Sequence, residues 1–197
     1  FDLASVVQLT GERRETIRIQ LSRWCKNGKL VSLRRGMYAF PEIGTAVKIN
    51  PALLANRLYS PSYISTYWAL GFYGLIPEKV VTYTCMTQRV TRQFSNPFGL
   101  FRYQHIKEAA FFGYRMHEIN GDRILIAEPE KALLDMWHLE RGMWNEDRMA
   151  GMRFQHRDVV DVKTLASYAD RYKSPRLAKA ADIWTSMADD EEGSIEL

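Results

Sequence analysis

The sequence ERRETIRIQLSRWCKNGKLVSLRRGMYAF occupies residues 12–40. It predicts an arginine-rich amphipathic helix followed by a short hairpin with a basic turn. Ile17, Leu21 and Trp24 recur at i, i+4 and i+7, so they form an apolar stripe that we expect to be buried. This pattern is typical of a winged helix-turn-helix, in which a recognition helix enters the major groove and a wing contacts the adjacent backbone.

The other side of this helix carries the residues that we expect to contact DNA. Residues near the start of a recognition helix normally reach base edges, where an arginine can bind a guanine and Thr16 can meet a thymine methyl. Ile19 fits the same role, or it packs against a neighbouring helix. Arg34 and Arg35 are predicted at the hairpin tip, close to phosphates or the minor groove. The candidate DNA-binding residues are Arg13, Arg14, Thr16, Arg18, Ile19, Ser22, Arg23, Lys26, Arg34 and Arg35.

The charge of the chain is concentrated in the same region. Residues 1–40 hold eight basic and three acidic residues, a net charge of +5. The other 157 residues carry a net charge of −1, so the whole chain reaches +4. A basic patch confined to one small module is typical of phosphate binding, although a charge run can also be a solvated helix face. Because the charges coincide with helix-turn-helix spacing, we favour DNA binding.

Turn residues delimit this N-terminal unit. Gly28 suits the end of the helix and Gly36 the tight hairpin turn, because both positions favour a positive φ. Upstream, residues 2–9 predict a short helix, and Thr10 and Gly11 predict a turn. A helix-turn-helix normally includes one more helix before these two. The sequence begins at Phe1 without it, which leaves the first helix of the unit unassigned.

A second domain is expected from about residue 47, after a linker at residues 41–44. Its order of helices, then strands, then helices indicates an α+β fold. We therefore predict a winged helix-turn-helix over residues 1–46 and, over residues 47–197, a mixed α/β domain with a mostly antiparallel sheet. Helices are predicted at residues 51–58, 62–73, 128–137, 162–172 and 175–188, and strands at residues 80–87, 92–95, 100–105, 110–119 and 123–127.

Composition limits the class of protein. The sequence is 46% hydrophobic, enough for substantial cores, but no apolar run approaches the 18 or so residues of a membrane span. Cys25 and Cys85 fall on different predicted elements, one helical and one a strand, so a disulfide is not favoured and a cytoplasmic location is expected. We expect no membrane partner.

No catalytic motif stands out. The sequence contains no phosphate-binding loop, nucleophile elbow or CxxC pair, and its four histidines are scattered. Asp135 and His138 share a helix face, but two groups do not make a metal site. We therefore assign no catalytic residue, no metal ligand and no cofactor. A metal-dependent nuclease would use Asp122, Glu128, Glu130 and Lys131, but Pro129 indicates that this segment begins a helix.

Two further patterns have structural explanations. Lys131 and Asp135 form an i, i+4 pair, which as a helix brace contributes about 0.3 kcal/mol. A cluster of aromatic residues could stack on nucleic-acid bases, but at helical spacing it is more often part of a core. Its members are Tyr63, Tyr67, Trp68, Phe72 and Tyr73.

An ordered set of short motifs resembles a known family. The motifs are YISTYWALGFYGLIPE (63–78), MTQR (86–89), GLFRYQHI (99–106), FFG (111–113) and AEPEKALLD (127–135), after the N-terminal winged-helix pattern. Together they resemble the AbiEi family, antitoxin partners of AbiEii-type nucleotidyltransferase toxins in bacterial type IV toxin–antitoxin and phage-abortive systems. The resemblance implies that the N-terminal domain binds operator inverted repeats and represses its own operon. It also implies that the second domain counteracts the toxin without a stable complex.

Two functions thus follow from the sequence. The first is a DNA-binding repressor that is also an antitoxin and not an enzyme. The second is a winged-helix DNA-binding protein whose C-terminal domain is a metal-dependent nuclease or a ligand-sensing module. A nucleotidyltransferase-like reading frame immediately downstream, with inverted repeats upstream, would favour the first.

Overall fold

The structure, a computed structural model, describes residues 1–41 and 48–193, with side chains up to Met187. Within these ranges the fold mixes α-helices with two β-sheets. The linker predicted at residues 41–44 lies, apart from Pro41, outside the described residues, and so does the boundary predicted at residues 46–47. None of the described helices combines the length and apolar character that crossing a bilayer requires.

Two helices and a hairpin form the N-terminal unit: α1 (Leu3–Thr10), α2 (Arg14–Lys26), β1 (Val31–Arg34) and β2 (Met37–Ala39). The Asp2 carboxylate accepts a hydrogen bond from the Ser5 amide at 2.8 Å, which satisfies one of the free N–H groups at the start of α1. The backbones of Phe1 and Tyr38 exchange two hydrogen bonds, of 2.9 and 3.0 Å. The start of the chain is thereby fixed along β2.

A small hydrophobic core holds this unit together. Its buried members are Leu3, Leu21, Leu30 and Tyr38, and three half-buried side chains pack against them: Val7, Ile17 and Cys25. The predicted burial of Trp24 is wrong, because that side chain is 38% exposed. The inward stripe of α2 follows Ile17, Leu21 and Cys25 at i, i+4 and i+8, which turns Trp24 toward the surface.

The remaining elements form the larger part of the molecule. They are α3 (Pro51–Leu58), β3 (Tyr63–Ile64), α4 (Thr66–Phe72), β4 (Thr82–Thr87), β5 (Arg92–Asn96), β6 (Gly99–His105), β7 (Tyr114–Ile119), β8 (Asp122–Ala127), α5 (Pro129–Leu139), α6 (Glu146–Gly151), α7 (Val162–Tyr172) and α8 (Pro175–Gly193). Two short 3-10 helices cover Glu108–Ala110 and Arg157–Val159.

Most of these elements match the sequence-based predictions, and three differ. The helix predicted at residues 62–73 divides into β3 and α4, because Tyr63 and Ile64 pair with β4 and so enter the sheet. The strand predicted from residue 110 begins at Tyr114, after a 3-10 turn. Helix α6 was not predicted, because its six residues are too few to show a clear helical period.

The large sheet has six strands in the order β5-β6-β4-β3-β8-β7. The pairs β5–β6, β3–β4 and β7–β8 are antiparallel, whereas β4–β6 and β3–β8 are parallel. The sheet is therefore mixed, with antiparallel pairs in the majority but two parallel pairs that the sequence did not predict. A hairpin signal such as Asn120 and Gly121 identifies a neighbour along the chain, but it says nothing about pairing between distant strands.

The N-terminal hairpin also contacts the large sheet. Leu33 and Ala39 are buried in the main core, and the Asn96 side-chain amide donates a hydrogen bond to the Leu33 carbonyl at 3.2 Å. Strand β1 therefore lies close to β5, an edge strand of the large sheet.

Candidate nucleic-acid interface

Helix α2 and its N-cap residue carry eight of the ten candidate DNA-binding residues. All eight are exposed: Arg13, Arg14, Thr16, Arg18, Ile19, Ser22, Arg23 and Lys26. Arg13 is the N-cap residue of α2 and makes no side-chain capping hydrogen bond. Ile19 is 46% exposed, so it is free to contact a partner and does not pack into the small core.

The end of α2 is fixed by a glycine. Gly28 has a φ of +70°, and its amide donates to the Cys25 carbonyl at 3.1 Å, while the Lys29 amide donates to the Trp24 carbonyl at 2.9 Å. This arrangement satisfies carbonyls in the last turn and reverses the chain toward β1. The hairpin is thereby directed back alongside α2.

The helix and the hairpin turn enclose a basic groove. Arg14, Arg18 and Ser22 of α2 line it from one side and Arg35 from the other, around a volume of about 570 Å³. A neighbouring depression on α2 is lined by five residues, Arg18, Ile19, Ser22, Arg23 and Lys26. Seven of the ten candidate residues therefore lie on two adjoining surfaces. Arg13, at the N-cap of α2, and Thr16 are exposed but line neither surface, and Arg34 is placed differently.

One acidic residue lies within this basic surface. Glu15 forms an ion pair with Arg18 one turn away, and both side chains are more than half exposed. This hydrogen-bonded carboxylate raises the pKa of Arg18, which stays positively charged in any case. Because both groups are open to water, a nucleic-acid phosphate can compete with Glu15 for the guanidinium.

Arg34 and Arg35 do not point the same way. Arg35 is exposed beside Gly36, whose φ is +78°, so these two residues form the tip of the turn. Arg34 is half-buried, its Nε is enclosed without a hydrogen bond from the described residues, and an Nη donates to the Arg35 carbonyl at 3.3 Å. Arg34 is also close to Tyr103 of strand β6 in the large sheet. Burial raises the pKa of Tyr103, and the positive charge of Arg34 partly offsets that rise. Arg34 therefore lies toward the large sheet.

A second group of charged residues is buried in the larger part of the molecule. In the described chain, the buried charged side chains are Glu128, Glu130, Lys131 and Asp135. All belong to α5 or to the residue that caps it. Lys131 and Asp135 are fully enclosed and form an ion pair. The sequence predicts a brace of about 0.3 kcal/mol, a magnitude that applies to exposed pairs, whereas other elements cover the helix face that carries this pair.

The buried pair is completed by hydroxyl groups. Asp135 accepts hydrogen bonds from Ser65 at 2.7 Å, Tyr63 at 3.1 Å and Tyr172 at 2.5 Å. Burial lowers the pKa of Lys131 and, together with the charge of Asp135, raises the pKa of the two tyrosines. Gly113 packs closely against the aliphatic part of Lys131, since a Cβ at this glycine would lie 3.2 Å from the Lys131 Cβ. The network joins β3, α5 and α7, and the side chains of Lys131 and Asp135 are closed to solvent.

The two glutamates of the nuclease alternative also have partners. Glu128 accepts a hydrogen bond from Tyr168 at 2.5 Å and pairs with Arg115. Glu130 accepts from the Asp161 amide at 2.8 Å, and burial raises its pKa. In the described ranges, no three acidic, histidine or cysteine side chains are arranged to hold a metal ion. These contacts join α5 and its N-cap residue to β7 and to the start and middle of α7.

The aromatic cluster of α4 and its surroundings is mainly core, which supports the packing interpretation. Tyr63 is fully buried, and three other members pack against the main core: Tyr67, Trp68 and Tyr73. Phe72 is 40% exposed and stacks on Trp68 with ring centroids 5.9 Å apart. Cys25 lies on a helix, α2, and Cys85 on a strand, β4, as predicted, and both are free thiols in this structure.

One surface was not identified from the sequence. Arg57 and Arg123 line a groove of about 310 Å³ between α3 and β8, together with Ser62. Sixty-odd residues separate the two arginines, and neither belongs to a motif. The two arginines line one groove because α3 packs beside β8, and the sequence alone does not reveal this packing.

No family model matches the sequence, and no curated protein matches it at a significant level.

Proposed function

We propose that residues 1–41 act as a winged helix-turn-helix that binds double-stranded DNA. The observation that carries the proposal is the basic groove, in which Arg14 and Arg18 of α2 face Arg35 of the hairpin turn. Like charges that converge on one open groove repel each other, and a phosphate backbone relieves that repulsion. The groove also continues onto the exposed face of α2, as an interface with a duplex requires.

In this proposal the side chains divide by their position on α2. Arg14, Thr16, Arg18 and Ile19 lie in its first half and contact base edges, where an arginine can bind guanine bidentately. Arg13, Arg23, Lys26 and Arg35 contact phosphates, and Ser22 adds a hydrogen bond. Arg34 supports the hairpin against the sheet, because its Nε is buried.

The wider role that we propose is a repressor of its own operon that also acts as an antitoxin. The support is the ordered set of motifs from residue 63 to residue 135, which resembles the AbiEi family. In this role the protein binds operator inverted repeats in the cytoplasm and counteracts a nucleotidyltransferase toxin without catalysing a reaction itself.

DNA binding is tested by fluorescence anisotropy with the duplex upstream of the gene and an unrelated duplex of equal length. Arg18→Ala should weaken binding to the upstream duplex by about 1–3 kcal/mol and reduce the preference between the two. Arg35→Ala should weaken both equally. Lys179→Gln is the control, because this exposed helical lysine lies on α8. Equal binding by the wild type and both arginine variants would exclude this interface.

The antitoxin role is tested by co-expression with the nucleotidyltransferase-like protein encoded next to the gene. We expect the full-length chain to restore growth, and the Arg14→Ala/Arg35→Ala double variant to restore it equally while repression is lost. Growth arrest that persists with a folded wild-type protein would refute the antitoxin role without affecting the DNA-binding proposal.

A further inference from the structure

The groove between α3 and β8 combines charge with aromatic rings. It holds about 310 Å³ and is lined on its polar side by Arg57, Ser60, Ser62 and Arg123. Phe111 and Tyr114 line its apolar side and are half-buried. The groove lies on the larger part of the molecule and shares no lining residue with the basic surface of α2.

The two arginines are brought together by a fixed contact between α3 and β8. The Asn56 side chain donates to the Leu125 carbonyl at 3.3 Å and accepts from the Leu125 amide at 2.7 Å. The Asn56 side chain thus bonds to both backbone groups of Leu125, as a residue of a neighbouring strand would. Arg57 follows Asn56 directly, and Arg123 lies two residues before Leu125, on the same face of the strand. Both arginines therefore line one groove.

Neither arginine is neutralised by the described chain. Arg57 and Arg123 are exposed and form no ion pair or hydrogen bond with a described residue. Glu118 lies opposite Arg123 in the β7–β8 ladder but makes no ion pair with it. No carboxylate lines the groove. Two unpaired guanidinium groups beside one concavity favour an anion, and their fork of donors matches phosphate oxygens.

A hydroxyl group at the same place also lacks a partner. Ser62 is 3% exposed, and its hydroxyl makes no hydrogen bond with the described residues. A buried hydroxyl without a partner costs free energy, so a ligand that accepts its hydrogen bond gains affinity. On the apolar side, Met116 follows the two aromatic rings and is 60% exposed. An apolar group of a ligand can cover this side chain.

We infer that the groove binds the phosphate group of a small phosphomonoester whose ring-bearing part lies against Phe111 and Tyr114. Arg57 and Arg123 bind the phosphate oxygens, and the Ser62 hydroxyl donates to one of them after a small local movement. The aromatic side chains and Met116 contact the organic part of the ligand. This site is separate from the proposed DNA interface and adds a binding function to the larger part of the molecule.

The test is isothermal titration calorimetry of the full-length protein with four probes: inorganic phosphate, ribose 5-phosphate, AMP and adenosine. We expect AMP to bind more tightly than ribose 5-phosphate, and both more tightly than inorganic phosphate. Adenosine should bind weakest, because it lacks the phosphate. The Arg57→Gln/Arg123→Gln double variant should bind AMP at least tenfold more weakly, and Ser62→Ala several-fold more weakly.

Two controls separate this groove from other basic surfaces. Arg102→Gln replaces an exposed arginine of β6 and should leave AMP affinity unchanged. Arg14→Gln/Arg35→Gln changes only the groove beside α2, so it too should leave AMP affinity unchanged. Circular dichroism of each variant checks that it is folded.

Four results would overturn the inference or a part of it. The first is no saturable binding of any phosphate probe to the folded wild type. The second is AMP affinity that survives Arg57→Gln/Arg123→Gln or is lost in Arg14→Gln/Arg35→Gln. The third is equal affinity for adenosine and AMP, which would exclude the phosphate contact. Equal affinity for phosphate and AMP would overturn the ring contact.

Discussion

Lys131 and Asp135 differ from a surface ion pair because both side chains are removed from water. Transfer of two charges to a protein interior costs several kcal/mol for each ion, and their attraction repays this only when further hydrogen bonds complete the site. Here Ser65, Tyr63 and Tyr172 supply those bonds to Asp135. The stability of this region therefore depends on an intact network rather than on the pair alone.

Loss of one partner from this network should be costly. Asp135→Ala leaves the Lys131 charge buried without its counter-charge and removes the acceptor of three hydroxyl groups, so the free energy of unfolding should fall by about 3–5 kcal/mol. Asp182→Ala, on the exposed face of α8, is the control and should change it by less than about 0.5 kcal/mol. Urea denaturation measures both, and similar values for the two variants would contradict this account.

Glu130 gives a pH-dependent prediction. Burial raises its pKa above 4.5, so the folded state favours the protonated carboxyl. That stabilisation is complete below pH 4.5 and is lost as the pH rises through the raised pKa. Glu130→Gln keeps an acceptor for the Asp161 amide and has no charge to bury. The variant should therefore be slightly more stable than the wild type at pH 7, and the difference should disappear below pH 4.5.

The matching control for this prediction is Glu130→Ala. It leaves the Asp161 amide without its acceptor and should cost about 1–3 kcal/mol at both pH values. Thermal unfolding at pH 4 and pH 7 measures the two variants. The same experiment tests chemistry, because we expect the purified protein to cleave no nucleic acid with added divalent metal. A cleavage activity that Glu130→Gln abolishes would favour the nuclease alternative.

At the scale of elements, the β1–β2 hairpin has two packing partners. One of its faces contributes Tyr38 to the small core with α1 and α2, and the other places Leu33 and Ala39 in the main core. The hairpin is therefore held between the two cores. In the proposed DNA complex, this contact would fix the angle of the hairpin tip relative to α2.

Truncation of Leu33 tests the contact of the hairpin with the large sheet. Leu33→Ala removes a side chain that is 6% exposed, so the free energy of unfolding should fall by about 2–5 kcal/mol. Asn96→Ala removes the hydrogen bond to the Leu33 carbonyl and should cost about 1 kcal/mol. Gln93→Ala, at an exposed position of β5, serves as control. A loss below about 0.5 kcal/mol in Leu33→Ala would show that the contact does not stabilise the protein.

Helix α2 gives a prediction about the acid on its basic face. Glu15→Gln removes the carboxylate that pairs with Arg18, so the charge of Arg18 is fully available to phosphates. Affinity for duplex DNA should therefore rise, on the order of two- to fivefold at low salt, and the gain should shrink as salt screens the charges. Anisotropy titrations with the unrelated duplex measure the change. A lower affinity would mean that Glu15 orients Arg18 for binding.

For the whole molecule, the excess positive charge lies in the N-terminal unit, for which we propose DNA binding. The net charge of +5 lies in residues 1–40, and the rest of the chain is nearly neutral. DNA affinity should therefore decrease steeply with salt, with a log–log slope near −0.9 for each phosphate that is neutralised. Arg23→Gln should reduce the magnitude of the slope by about 1, and Lys179→Gln should leave it unchanged. Affinity that stays constant between low and moderate salt would exclude phosphate binding by α2.

Local patterns made the N-terminal helices, the hairpin and helices such as α3 and α7 predictable from the sequence. Asn50 and Pro51 start α3, and Gly28 ends α2, because capping and turn preferences depend on residues that are close along the chain. The excess of positive charge in the first 40 residues is likewise a property of the sequence alone. The exposed residues of α2 follow from its period once the helix is recognised.

Only the tertiary structure decided how distant elements meet. It placed Lys131 and Asp135 in the interior, turned Arg34 toward the large sheet, and left Trp24 at the surface. It also paired β4 with β6 and β3 with β8 in parallel, and it brought Arg57 to Arg123. Burial and pairing depend on which faces cover each other, and that choice is set by the packing of the complete chain. The sequence therefore determined the proposed DNA-binding helix, whereas the buried ion pair and the groove between α3 and β8 required the fold.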